Sequence, residues 1–162
     1  MSFEQFSNGL LEWLIRLAGL FWLVGAFMLF RQIRTEMLLD RMAAKLEHMA
    51  RDVNTETAPD PVRRWRDRDD AARRGWIAGQ AVVLALTSIS MLILHSFSVW
   101  LAALLVLGQG VYFLWRERTA RAAPDAESAT HARPSQSTVN AGWVSLAVAA
   151  LVWLAAWRGL LH

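Results

Sequence analysis

The chain has 162 residues, 55% of them hydrophobic and only 19% charged, with a formal net charge of +3. The charges are clustered and leave long uncharged runs, a distribution that departs from that of a water-soluble domain. There is no cysteine, which excludes disulfides and thiolate metal sites.

The N-terminus, Met-Ser-Phe-Glu-Gln-Phe, lacks the basic start of a secretory signal, so the first apolar stretch is expected to be retained. That stretch runs from Leu10 to Phe30. Its uncharged part, Leu17 to Phe30, is 14 residues long, which reaches about 21 Å at 1.5 Å per residue against roughly 30 Å of hydrocarbon. Glu12 and Arg16 are therefore expected near one interface, paired at i,i+4, with the arginine stem extending towards the head groups. An acid close to a membrane span is also a candidate proton or cation site.

From Arg31 to Gly75 the chain carries 11 of its 17 basic residues. Leu39, Met42, Leu46, Met49 and Val53 recur at alternating spacings of three and four, the stripe of an amphipathic helix continuing out of the first span. The stretch Thr55 to Pro61 ends that helix, because its two prolines restrict the residues before them. Asp60 and Pro61 suit the N-cap and first position of a new helix. In that helix, pairs of Asp69 with Arg73 and of Asp70 with Arg74 are expected at i,i+4. Mixed acids make the Arg63 to Arg74 run a self-paired, solvated surface rather than a nucleic-acid site.

The runs Ile77 to Leu94 and Phe97 to Trp115 contain no Asp, Glu, Lys or Arg and read as a hairpin of spans two and three. Gln80 and Gln109 fall at similar depth and are expected to hydrogen-bond across it, with Gly108, Gly110, Thr87 and Ser90 allowing close approach. Met91 and His95 stand at i,i+4, the beginning of a soft-metal site, but two ligands do not complete one. The other histidines, His48, His131 and His162, are scattered, so no metal and no haem is expected.

Arg121 to Asn140 is rich in Ala, Ser, Thr and Pro without apolar periodicity and reads as a flexible linker. Ala141 to Trp157 is the fourth uncharged run.

Fifteen of the 17 basic residues lie in two segments, 31–75 and 116–141, while His95 to Ser98 has none. The positive-inside rule then puts both segments in the cytoplasm and both termini outside. Tryptophans bracket the spans: Trp76, Trp115 and Trp143 at the cytoplasmic ends, and Trp13, Trp100 and Trp157 at the outer ends. Sixteen Arg against the single Lys45 point to a GC-rich genome and a bacterial inner membrane.

The expectation is an all-α integral membrane protein with four transmembrane helices and a cytoplasmic amphipathic helical extension. Its parts are 1–30 (outer N-terminus and first span), 31–75 (helical cytoplasmic loop), 76–115 (hairpin), 116–141 (flexible loop) and 142–162 (fourth span and outer C-terminus). No activated nucleophile and no phosphate loop is present, so the chain reads as a non-enzyme without cofactor. Its expected partners are the lipid bilayer and other membrane proteins or itself, met through Leu39, Met42, Leu46, Met49 and Val53 as an accessory subunit. The alternative is a small oligomeric transporter or channel using Glu12.

Overall fold

The computed structural model describes residues 3–51 and 61–162, and among them every regular element is helical. These are α1 (Phe3–Arg51), α2 (Pro61–Leu92), α3 (Phe97–Arg121), α4 (Ala126–Ala132) and α5 (Gln136–Trp157). Four of the helices are long and apolar enough to cross a membrane. Val53 and Asp60 lie outside the described residues, while Pro61 opens α2, where its missing N–H costs nothing.

The long helices form a closed ring: α1 packs on α2, α2 on α3, α3 on α5 and α5 back on α1. Leu11, Ile15, Trp22, Met91, Ala102, Leu105, Val148, Ala149 and Val152 meet in its centre. Small residues set the spacing. A Cβ on Gly19 would stand 3.1 Å from both the Ser88 carbonyl oxygen and Met91 Cβ, so α1 and α2 approach closely there. Buried Thr87 and Ser88 turn their hydroxyls back onto their own helix, donating to the Val83 and Leu84 carbonyls.

The ends of the ring are grouped by hydrogen bonds. At one end, Ser96 N–H donates to the His162 carbonyl at 2.7 Å and His162 N–H to the Leu94 carbonyl at 2.9 Å. Leu94 reaches this turn with a left-handed φ of 54°. Arg158 donates to Ser7 Oγ at 2.9 Å beside them. The start of α1, the α2–α3 turn and the end of α5 therefore share one end, and α4 sits at the other against α2 and α3.

Segment 121–140 is not the unstructured linker that its composition suggests. Asp125 caps α4 by accepting from the Ser128 N–H at 2.7 Å, and Ser135 caps α5 by accepting from Thr138 N–H. The segment folds because polar caps and one small buried face, Ser128 and Ala132, dock onto α2 and α3. Apolar periodicity was the wrong signal for a seven-residue helix.

The outer surface of the ring is apolar. Only 22–28% of each span's apolar window is buried within the bundle. Phe21 and Met28 on α1, Leu86 and Ile93 on α2, Leu107 and Leu114 on α3, and Leu154 on α5 all face outward.

The Gly19 contact predicts that Gly19→Leu loosens the bundle by about 1–3 kcal/mol through overpacking. Gly75→Ala, where a Cβ meets nothing within 4 Å, should stabilise by about 0.5–1 kcal/mol through helix propensity. Unfolding midpoints in mixed micelles measure both, and equal midpoints for Gly19→Leu and wild type would contradict the close approach.

Candidate functional site

Two features stand apart from the apolar packing: a buried ion-pair layer beneath α4, and an uncovered stripe on α1.

In the layer, Arg116 on α3 is 1% exposed and Asp69 on α2 is 6% exposed. Arg116 Nη1 donates to both Asp69 carboxylate oxygens at 2.8 Å, and its Nη2 donates to the His131 carbonyl at 3.0 Å. The guanidinium also lies 5.5 Å from the centre of the Trp115 ring, a cation–π distance. Trp115 in turn packs with Trp76 and Tyr112, ring centres 5.9–6.3 Å apart.

Around this core further charges pair, some between helices and one along α2. His131 Nε2 meets Asp70 Oδ1 at 3.1 Å, and Arg73 meets the same oxygen at 3.4 Å. Arg74 reaches Asp40 on α1. Arg66 donates to Ser128 Oγ at 3.0 Å and pairs with Glu127 at 3.2 Å. Neither expected i,i+4 pair forms: buried Asp69 takes Arg116 across the bundle, where a charged partner offsets its desolvation, while Asp70 is shared by His131 and by Arg73 three residues on, and Arg74 turns to Asp40.

Asp69, Asp70 and His131 present ligand atoms within 4.8 Å of one another. A cation among them would have to displace Arg116, which already occupies both Asp69 oxygens. The donor set therefore fits an ion-pair network better than a metal centre. Arg73 Nε, Trp76 Nε1, Gln80 Oε1 and Arg116 Nε in this region are buried without a protein partner, and such groups are ordinarily satisfied by ordered water.

The residues singled out from the sequence fall as follows. Glu12 is half-buried and Arg16 exposed on α1, and no ion pair joins them among the described residues. Gln80 and Gln109 do not bond to each other. Gln109 Nε2 donates to Ser145 Oγ on α5 at 2.9 Å, and the Gln80 amide fills the space that a Cβ on Gly108 would need. Equal depth in the hairpin did not set which helix each amide faces. Met91 is fully buried in the core, while His95 accepts from the Phe97 N–H at 3.1 Å, so the two are not joined in a metal site. Leu39, Met42, Leu46 and Met49 are 60–65% exposed, uncovered by α2.

No protein family, curated protein or solved structure matches this chain.

Sequence reasoning missed the Asp69–Arg116 pair. The available signal was an arginine immediately after Trp115 at the end of an apolar run, and an aspartate two helical turns before Trp76.

Removing one partner of this pair leaves a buried charge. Asp69→Leu should cost about 3–5 kcal/mol, and adding Arg116→Met should recover most of that loss. Unfolding midpoints of the single and double variants decide it, and additive losses would show that the two groups do not act as a pair.

The α4 cap predicts a pH response. The Ser128 backbone N–H, with the Ser128 hydroxyl and Arg66 adding to it, outweighs partial desolvation and holds the Asp125 carboxyl below its ordinary value of 3.8. Stability from this cap is thus complete above that ordinary value and is lost as pH falls through the lowered one. Hydrogen exchange at the Ser128 amide, followed from about pH 7 to about pH 3, should show protection persisting until the acid end of the range. Release near neutrality would contradict the assignment.

Proposed function

We propose that this chain is an integral membrane protein that acts as a non-catalytic interaction subunit, presenting the far half of α1 on the cytoplasmic side. The supporting observation is the combination of a ring of four helices with apolar outer faces and one helix that outruns the ring. The apolar exterior suits hydrocarbon rather than water. α1 is 49 residues long and continues unbroken to Arg51, so Met49 lies roughly 28 Å beyond Phe30 at 1.5 Å per residue.

The bias of basic residues assigns the α4 end to the cytoplasm, and the grouping of chain ends described above is compatible with it. The ring's centre is filled by Ile15, Trp22, Leu105 and Val152. The interaction reading is preferred because the ring's centre is packed and the far half of α1 leaves Leu39, Met42, Leu46 and Met49 exposed.

Alkaline phosphatase fusions test the arrangement. Activity is expected after fusion at Ser96 or His162 and is expected to be absent at Ala58 or Ser128. The reverse pattern would overturn the sidedness, and release of the chain from membranes by alkaline carbonate would overturn the membrane reading itself.

A further inference from the structure

We propose that the uncovered face of α1 is the seam of a parallel pairing between two copies of this chain. This rests on the membrane reading above, because copies inserted in the same orientation hold their α1 helices parallel.

The face has the required position. Leu11, Ile15, Trp22, Ala26 and Ile33 bury the opposite side of α1 in the bundle, and Asp40 turns on that same side to meet Arg74 of α2. At 100° per residue, Leu39, Met42, Leu46 and Met49 point away from both. The second half of α2 packing is thus already spent, and lipid is out of reach of a stripe that projects straight from the span. The same face continues inward through Phe21 and Met28, which are 67% and 63% exposed. One surface therefore runs from within the first span to Met49.

Its spacing is that of a heptad seam. Setting Leu39 and Leu46 at the first core position puts Met42 and Met49, and further back Thr35, Met28 and Phe21, at the second. Gln32 and Gly25 then fall at the first position. Polar residues at core positions set register between like helices, and Gln32 and Thr35 stand where the apolar seam leaves the span, the Gln32 amide donating to Glu36 Oε1 at 2.9 Å. Thr35 carries no unsatisfied hydroxyl there, since its Oγ1 donates to the Arg31 carbonyl at 3.0 Å.

The flanking charges select the occupant. Arg31 falls at the position before the Gln32 core site, and Glu36 at the position after Thr35, five residues on. In a parallel pair these positions face each other across the seam, so each copy's Arg31 meets the other copy's Glu36. A seam with matched opposite charges at the spacing of its own repeat fits a second copy of this chain.

The absence of cysteine makes the test clean. Single variants Met42→Cys, Leu46→Cys and Ala44→Cys are oxidised in native membranes and resolved without reductant. The expected result is a covalent band at twice the chain mass for Met42→Cys and Leu46→Cys and its loss for Ala44→Cys, on the α2-facing side. Arg31→Glu in the Met42→Cys background should reduce the band, and Arg31→Glu with Glu36→Arg should restore it. No doubled band at either seam position, or an equal band at Ala44→Cys, overturns the pairing. A heavier adduct with a different protein at Met42→Cys, without the doubled band, also overturns it but leaves the interaction reading standing. The fusion pattern reports on the membrane reading independently.

Discussion

Helices that are apolar on every side cannot choose their neighbours by burying apolar surface, since hydrocarbon covers such a surface as well as another helix does. In the membrane setting proposed above, this constraint governs the ring. What distinguishes one face from another is how closely a backbone can approach and where a polar group can be satisfied. Gly19 lets α1 settle against the Ser88 carbonyl, and the alanines Ala26, Ala81, Ala102, Ala149 and Ala155 are nearly or fully buried at helix contacts. Leucines and phenylalanines, the largest apolar groups, are mostly turned outward. Small side chains therefore line the closest helix contacts, and Leu11, Ile15, Trp22, Met91 and Leu105 fill the centre between them.

Polar groups add the specificity that apolar packing lacks. The Asp69–Arg116 pair ties α2 to α3 and, through the His131 carbonyl, fastens α4 to both. Gln109 and Ser145 tie α3 to α5 at a second level. Each of these bonds joins one particular pair of helices, so together they define the ring order that burial alone would leave open. Trp115, itself packed against Trp76 and Tyr112, gives the guanidinium an aromatic face to rest on.

The sequence made the long helices legible because their signal is local: uncharged runs of sufficient length, with tryptophan near their ends. The start of α2 at Pro61 was legible for the same reason. The pairings were not. Asp69 has a good local partner four residues away in Arg73, and nothing in spacing shows that Arg116, 47 residues on, takes it instead. Gln80 and Gln109 illustrate the converse, since residues at the same depth can face different helices. α4 escaped because a helix of seven residues held by caps and ion pairs leaves no apolar period. The stripe on α1 was visible in sequence, but only the structure shows that α2 leaves it uncovered.

The unbroken length of α1 has a mechanical consequence. A continuous helix of this length is stiff on the scale of the bundle, with no proline or glycine between Phe30 and Arg51 to act as a joint. A tilt of about 10° in its inner half displaces the tip by about 5 Å, given a lever arm of roughly 28 Å at 1.5 Å per residue. Small rotations in the plane of the bundle are thereby converted into motions the size of a side chain at Met49, and conversely a load on that tip is felt at Gly19, where α1 closely approaches α2.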